Sequence, residues 1–583
     1  MKIRHIEIRN FRGIKHLQWY VQSDFNCIIG PGDTCKSTIL TALDYALSPR
    51  ISLYCDDSDF YNQNIDEEII IQVTLTDWDE GSSEIQSFFR EHKFGQSKCG
   101  LNKHGSLPEP EENGPVAISI SLRIDKTLEP KWSLVQGRDE SQEQDRRPIY
   151  ASDRAILGAN RIDISSDSNF TWGRNTVLTR LSEDSQTRLS GLLSELTREI
   201  RQSDISEHQG IVECQSVASS VQLESQNMGV RLDSLSPQID VQKQSIKAGA
   251  ISLHEGVVPI RNKGSGSKKL ISSAMQMKLH NGNNIALADE IELGLEPHRI
   301  RGLIYKLKNA KQQIFTTTHS PVVLRELNVA TNELIVCKRD RDGIVYLESL
   351  NTVPDIQGAV RSNAEAFLGS KIVVCEGPTE IGCLRALDEF SFNEEDAPVW
   401  SLATCYFNAG GINTVKDAAL KLASLGYKTA VFCDNDALDD FQETDKQELI
   451  KNGVSIFQWE KGNSTEDQIF KDISWDHIPA FLNRIIELRD FLELENLVSA
   501  VNDRLPTENR LTNNPEEWEE SPAIRAALGK TAHKHKVNNK DKGWIKRPNC
   551  AWGTFAFLLP LLPANSYTRT ELKSLWDWIQ NDG

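Results

Sequence analysis

The stretch GPGDTCKSTI at 30–39 reads as a phosphate-binding loop with one substitution. The pattern G-x-x-x-x-G-K-[ST] turns backbone N–H groups and a helix N-terminus toward an anion, and its glycines let the backbone approach closely. Gly30, Gly32, Asp33 and Thr38 would form the cradle, Lys36 would reach the terminal phosphates, and the Ser37 hydroxyl would ligate Mg²⁺. Cys35 stands where the second Gly belongs. If that position needs a positive φ, a Cys there costs roughly 1–3 kcal/mol, which the surrounding structure can enforce. A plain strand–helix turn that contains Lys and Ser is the simpler alternative.

Other residues bear on that choice. NIALADEIELG places Asp289 and Glu290 at the end of an apolar strand, where Asp289 would hold Mg²⁺ through water and Glu290 would polarise an attacking water. Upstream, RNKGSGSKKL is a Gly/Ser turn opening a helix, so Ser265 and Gly266 could offer N–H groups to a phosphate. Downstream, QIFTTTHSP ends a strand in His319, within the class of residues that contact a γ-phosphate. Taken singly, these are a solvated strand end, a linker and a structural His.

A second group of residues is acidic. KIVVCEGPTE delivers Glu376 at the end of an aliphatic strand, with Glu380 four residues on, so a helix starting near Pro378 would bring the two carboxylates together. KTAVFCDNDALDDF does the same with Asp434 and Asp436, two apart and on one face of an extended chain. Between them, NAGGINTV is a Gly-Gly turn entering a helix, and STEDQIF adds Glu466 and Asp467. Clustered carboxylates do not all ionise cheaply without cations, so this set most simply binds Mg²⁺ or Mn²⁺. Two such ions can clamp the attacking and leaving oxygens of a phosphodiester displacement. Any one acidic strand end alone is just a solvated loop.

The elements that must position these groups are alternating strands and helices. MKIRHIEIRNFRGIKHLQWYV predicts two strands and a turn, DFNCIIG a short buried strand, and STILTALDYALS a helix. EEIIIQVTLTDW and GPVAISISLRID predict further strands, with a charged loop at 95–115 between them. Val177, Leu181, Leu189, Leu192, Leu193, Leu196 and Ile200 fall largely on one helical face, and polar helical sequence continues to about 250. Short strands then return as AISLHEG, NNIALADE, QIFTTTH and ELIVCKR. A new strand–helix alternation begins at KIVVCEG, and 478–545 turns helical and polar. Internal repeats are absent from the sequence.

The whole chain of 583 residues predicts two to four domains. Its net charge of −18 excludes a globally basic nucleic-acid binder but leaves room for a local basic patch. The eleven Cys form no CxxC, and several sit in apolar runs (Cys27, Cys337, Cys375, Cys433), which predicts a reduced, cytoplasmic protein. Neither a membrane span nor a signal-peptide core is legible.

The loop at 30–38, the turn at 264–267, Asp289–Glu290 followed by GLEPHR, and His319 together resemble the ABC-type ATPase head of the SMC kind, as does the opening IRNFRGIKHL. EGxxE, GG and DxD in that order resemble the Toprim domain of topoisomerases, primases and nucleases. Both in one chain resemble the OLD (overcoming lysogenization defect) nucleases, relatives of the Gabija defence nuclease. TWGRNTVLTRL, DEIELGLEPHRI and CEGPTEIGCLRALD are the most specific stretches. The resemblance implies an α/β chain: an SMC-like ABC ATPase in two parts (1–170 and 251–355) around a helical dimerisation insert (171–250), then a Toprim domain (366–583) with a helical insert at about 478–540. It implies an ATP-regulated DNA endonuclease in phage defence. Its metal ligands would be Glu376, Glu380, Asp434, Asp436 and Glu466, holding two Mg²⁺ or Mn²⁺ ions. Because ABC heads sandwich ATP between subunits, it implies a homodimer or larger homo-oligomer, with DNA and a separately encoded helicase-like protein as partners and no membrane.

The family also uses a late Lys, and KGWIKRP makes Lys546 the match, with Lys542 next. KTAHKHKVNNKDKGWIKR around it is a basic run suited to the DNA backbone, or else a solvated face. A chromosome-organising ATPase would need long heptad arms, for which 175–245 is too short and interrupted. The remaining rival is an SMC-like regulatory ATPase, in DNA repair or defence, whose carboxylates bind metal without cleaving.

Overall fold

The computed structural model describes residues 1–49, 53–77, 99–102, 107, 116–135, 147–157, 159–161, 167–172, 176–181, 195–196, 198–199, 209–227, 233–234, 251–279, 285–310, 312–393, 396–437, 439–537 and 540–581. It divides into two compact units, one of Met1–Leu157, Glu290–Glu292 and Gln313–Gly583, the other of Gly158–Asp289 and Leu293–Gln312. Among the described residues no helix is long and apolar enough to cross a membrane.

In chain order the first unit opens with β1 (Lys2–Phe11), β2 (Ile14–Tyr20) and β3 (Phe25–Ile29), then β4 (Ile69–Thr76), β5 (Ile118–Ile124), β6 (Pro130–Val135) and β7 (Arg147–Pro148). The second unit contributes β8 (Ala159–Arg161), the short β9 (His254–Glu255) and β10 (Val258–Pro259), and β11 (Ile285–Ala288). The first unit resumes with β12 (Gln313–Thr317), β13 (Leu334–Arg339) and β14 (Ile344–Ser349). It continues with β15 (Lys371–Cys375), β16 (Thr404–Asn408), β17 (Lys428–Cys433) and β18 (Ser455–Gln458), and a hairpin of β19 (Lys536–Val537) and β20 (Lys540–Asp541).

The larger sheet of the first unit has the order β7-β6-β5-β4-β1-β2-β14-β13-β3-β12. Its β1–β2 hairpin pairs Ile6 with Trp19 and Ile8 with Leu17, setting alternate apolar residues on the core face. β3 lies parallel to both β12 and β13 and is buried along its whole length, as expected of a parallel strand covered on both faces. The helix Lys36–Leu47 leaves from its C-terminal end, burying Ile39, Leu40, Leu43 and Leu47.

The smaller sheet, β16-β15-β17-β18, is parallel throughout. The helices Pro378–Asp388 and Ile412–Ser424 follow its first two strands. All four strands therefore release the chain on one edge, where ligands of parallel sheets gather. The core beside it is aromatic: Trp459, Trp544 and Trp576 are almost fully buried, with Phe470 between Phe481 and Trp544. The stretch from 478 onward holds the helices Ile478–Glu487, Leu494–Asn502 and Pro522–His533, each with a buried apolar face.

In the second unit β11 lies parallel to β8, pairing Ile285 with Ala159. The helices Ser265–Leu279 and Pro297–Lys308 belong to the same unit. A small core of Phe170, Val177, Leu178, Ile260 and Met275 holds the first of these helices. AISLHEG, expected as a strand, forms a strand only at His254–Glu255, with an isolated bridge from Ser252 to Thr171, and Gly256 at φ +58 then turns the chain back. Of the expected helical face beginning at Val177, Val177–Leu181 is helical; Leu189, Leu192, Leu193 and Ile200 lie outside the described residues. Further on, the helix Gln209–Asn227 exposes Val212, Val217, Val221 and Leu223.

Candidate functional site

At the first candidate site the chain leaves β3 through a tight loop. Gly30 has φ +139, and a Cβ there would lie 2.5 Å from the Cys337 carbonyl oxygen, so only glycine fits. Cys35 adopts φ 68 and ψ 21, the left-handed region in which a glycine is ordinarily found. Asp33 is left-handed as well, at φ 59. The Cys35 side chain points to the β1–β2 turn, where a Cβ on Gly13 would lie 2.6 Å from its Sγ. Cys337 Sγ donates to the Thr34 carbonyl at 3.0 Å, and burial pushes that thiol up to about 12, which keeps it protonated.

Lys36 is buried, and its Nζ donates to the Gly30 carbonyl at 3.0 Å, to the Pro31 carbonyl, and to Thr34 Oγ1 at 3.3 Å. A cavity of about 420 Å³ opens over the loop, lined by Gly32, Asp33, Lys36, Ser37, Thr38, His319 and Arg339. His319 thus joins the loop residues, as does Arg339, which sequence reading passed over; its signal was its place at the end of β13, beside β3. Glu292 is the other omission. Its carboxylate accepts from the His319 N–H and the Thr318 hydroxyl, each at 2.7 Å, and so fixes the backbone that carries His319. Glu290 is held at φ 44, its N–H donating to Thr317 Oγ1 at 2.9 Å, a strained backbone of the kind found at functional sites.

In the second unit Ser265 and Gly266 begin the helix Ser265–Leu279. A Cβ on Gly266 would lie 2.3 Å from the Gly294 carbonyl oxygen, and Gly294 itself has φ +75. The Gly/Ser turn and the GLEPHR segment are therefore in backbone contact. Asp289 faces Arg161 at 3.5 Å.

The second candidate site lies on the C-terminal edge of the smaller sheet. Glu376 follows β15, and its Oε2 accepts from the Asp434 N–H at 3.3 Å, beyond the end of β17. Glu380 is almost fully buried on the first turn of Pro378–Asp388, where its Oε2 accepts from the Gly377 N–H at 2.7 Å. Asp434 Oδ1 accepts from both the Thr465 N–H, at 2.9 Å, and the Thr465 hydroxyl, at 2.7 Å. The buried Trp459 indole in turn donates to that hydroxyl at 2.8 Å. Thr465 opens the helix Thr465–Asp472 and sets the next residue, Glu466, inside the same cluster.

Burial and like charge act together here. Glu380 is pushed up to about 7 by burial and then by Glu376 and Glu466. Asp434 is raised well above the carboxylate range by burial and by Glu380, Glu466 and Glu376. Glu376 is raised by burial, against the lowering influence of the Asp434 N–H, His533 and Lys546. Glu466 is 2% exposed, and its Oε1 has no hydrogen-bond partner. An acidic set with an orphaned buried oxygen fits a divalent cation.

Asp436 is exposed at the rim. One oxygen each of Asp434 and Asp436 and a ring nitrogen of His533 lie within 4.8 Å of one another. His533 was legible in the sequence only as part of the basic run. Lys546 is exposed yet close enough to act on Glu376, and its stem lies over Gly543, where a Cβ would sit 2.5 Å from Lys546 Cγ. Lys542 instead lies over the Phe491 ring at 4.9 Å. The basic run is anchored, since Trp544 is fully buried and donates to His535 Nδ1 at 2.9 Å. Lys534 is exposed, and the side chain of Lys536 lies outside the described residues.

Residues 1–113 match the AAA ATPase domain. This stretch contains the whole phosphate loop, so the N-terminal part is ATPase-like and its nucleotide is ATP. Among solved structures, an SMC head bound to the C-winged helix domain of ScpA is similar over 60% of this chain and 99% of its own, at 14% identity and a TM-score of 0.31. That superposition is too loose to carry function. No curated protein matches the chain.

Proposed function

We propose that the protein is an ATP-regulated, divalent-metal-dependent DNA endonuclease of the OLD kind, in which an ABC-type ATPase controls a Toprim-type cleavage site. The observation that carries the nuclease half is the convergence of Glu376, Glu380, Asp434 and Glu466 on one edge of a parallel sheet. Their mutual repulsion in a buried setting is what divalent cations relieve. When bound, Mg²⁺ or Mn²⁺ would supply charge for the attacking and leaving oxygens of a phosphodiester.

The chain's own residues then have distinct tasks. Glu376, Asp434 and Asp436 would hold the ions, Glu380 and Glu466 would complete the buried side of the cluster, and Thr465 keeps Asp434 in place. Lys546, on the solvent side, would meet the scissile phosphate and stabilise charge on it. In the ATPase, Lys36 and Ser37 would contact phosphates and Mg²⁺, Asp289 would hold that ion through water, and Glu290 would polarise water. Ser265 and Gly266 would face the phosphate loop of a second subunit, making a homodimer the smallest working form. The exposed valines of Gln209–Asn227 support a dimerisation arm there. A role in phage defence, with a helicase-like partner, follows from the resemblance to OLD and Gabija nucleases.

Incubation of the purified chain with supercoiled plasmid and Mg²⁺ or Mn²⁺ tests this directly. Nicked or linear product, absent in Asp434→Ala, is expected. No product under any nucleotide and metal condition would leave the regulatory, non-cleaving ATPase as the better account. Lys546→Ala should slow single-turnover cleavage about 10²-fold or more while binding DNA nearly as well. If it cleaves like wild type, the lysine is misassigned.

A further inference from the structure

We infer that His533 is itself a metal ligand of the carboxylate site, that Glu466 orients it, and that this nitrogen donor turns the site's preference from Mg²⁺ toward Mn²⁺. The assignment rests on the cleavage-site reading above and specifies its ion.

The donors come from separate elements. Asp434 and Asp436 lie just beyond β17, and His533 is the last residue of the helix Pro522–His533. Their candidate ligand atoms fall within 4.8 Å of one another, a spacing that one shared ion would close. The closeness is built into the packing. Gly529 lies one turn before His533 on the same helical face, and a Cβ there would meet Asp467 Oδ1 at 2.7 Å and Asp467 Cα at 2.8 Å. Only glycine lets this helix approach Thr465–Asp472 so closely, and that approach brings His533 onto Glu466.

The independent observation is the Glu466 carboxylate. It is 2% exposed, its Oε2 lies 3.3 Å from His533 Nδ1, and its buried Oε1 is without a partner. The contact satisfies one oxygen of the buried carboxylate and at the same time fixes the imidazole beside Asp434 and Asp436. Metal-bound histidines characteristically donate their second ring N–H to a carboxylate, which fixes tautomer and ring orientation. With Nδ1–H directed to Glu466, Nε2 keeps its lone pair for an ion shared with Asp434 and Asp436. Oε1 of Glu466 remains for the same ion or for its water.

The donor set selects among cations. Mg²⁺ asks for oxygen ligands in strict octahedral geometry and dehydrates reluctantly, whereas imidazole suits the transition metals. Mn²⁺ takes carboxylates as Mg²⁺ does but also accepts the nitrogen, so two carboxylates with one imidazole favour it.

The test uses the full chain without nucleotide, titrated with MnCl₂, with pulsed electron paramagnetic resonance reading ¹⁴N coupling from a coordinated imidazole. Wild type should show that coupling, and it should change to the ¹⁵N pattern when the histidines are labelled. His533→Gln should lose it, with Mn²⁺ affinity weakened about 10–100-fold and Mg²⁺ affinity changed far less. Glu466→Gln should retain the coupling at saturating Mn²⁺ but bind about tenfold more weakly. Mn²⁺ bound without nitrogen coupling in wild type, at a site that Asp434→Asn abolishes, would overturn the His533 assignment and leave the cleavage-site reading intact. Mn²⁺ binding undiminished in Asp434→Asn would overturn both. A wild-type spectrum without nitrogen coupling overturns the assignment even if a variant fails to fold, and loss of the coupling in Asp434→Asn places the coupled histidine at this site.

Discussion

The phosphate loop and the carboxylate cluster hold buried charge in opposite ways. At the loop, the Lys36 ammonium donates to the loop's own carbonyls and the Thr34 hydroxyl, so its hydrogen bonds are already made to neutral acceptors that leave its positive charge for an anion. At the cluster, Glu376, Glu380 and Asp434 are all pushed upward by burial, and the buried Glu466 Oε1 has no partner. That site is complete only with protons or cations. A ligand must compete with internal bonds at the first site and relieves repulsion at the second.

The largest expected effect separates the two regions outright. Asp434→Ala or Glu376→Ala should lower metal-dependent cleavage by about 10²–10³-fold or more, with ATP affinity unchanged, as read by plasmid nicking and nucleotide titration. A parallel fall in ATP affinity would mean that the sites are not separable.

The protonation state of the cluster gives the next effect. Glu380 is raised from an ordinary 4.5 to about 7, so between those values the folded, metal-free protein binds more protons than the unfolded chain. Its stability should therefore fall as pH rises through this window. Each cation bound should displace at least one proton, so metal affinity should rise about tenfold per pH unit up to near 7. Thermal melts with and without Mn²⁺ across pH 5–8 measure both, and a melting temperature that responds to Mn²⁺ equally at every pH would contradict this.

Lys36→Ala sharpens the other side of the comparison. Loss of a charged hydrogen-bond donor should weaken ATP binding about 10–100-fold and leave metal-only binding at the cluster as it was. Gly382→Ala probes how the second site is positioned, because its Cβ would lie 2.4 Å from Ala551 Cβ and 2.5 Å from the Pro548 carbonyl oxygen. Prising apart the helices Pro378–Asp388 and Pro548–Leu558 should cost about 1–3 kcal/mol in denaturant unfolding and misplace Glu380. The smallest effect is Cys35→Gly. Glycine relieves a left-handed strain of about 1–2 kcal/mol but loses the contact of Sγ with Gly13, so stability should move by about 1 kcal/mol or less and ATP binding should persist. Loss of ATP binding in that variant would make Cys35 a required residue.

The strands that carry chemistry were legible because their signals are local. β3, β12, β15 and β17 are short apolar runs ending in Gly or in residues with polar side chains, and each forms where its run stands. The Gly-Gly turn and Pro378 mark helix starts for the same reason, since backbone freedom and a fixed φ act within a few residues. AISLHEG is broken into a bridge at Ser252 and a two-residue strand at His254–Glu255, which Gly256 turns into a short hairpin, a turn preference that the apolar pattern does not encode.

By itself, then, the sequence determined which side chains stand just beyond strand ends, Asp289, His319, Glu376 and Asp434, and which opens the helix after the phosphate loop, Lys36. It did so because periodicity and punctuation are properties of neighbouring residues. Only the tertiary structure decided who meets whom. β15 lies beside β17, which puts Glu376 against Asp434 across 58 positions of chain. Gly529 lets one helix approach another closely enough to turn His533 from a member of a basic run into a neighbour of Glu466. β13 lies beside β3, which carries Arg339 to the phosphate loop. Such contacts depend on sheet order and on the absence of a single Cβ, and both are set by the packing of the whole core.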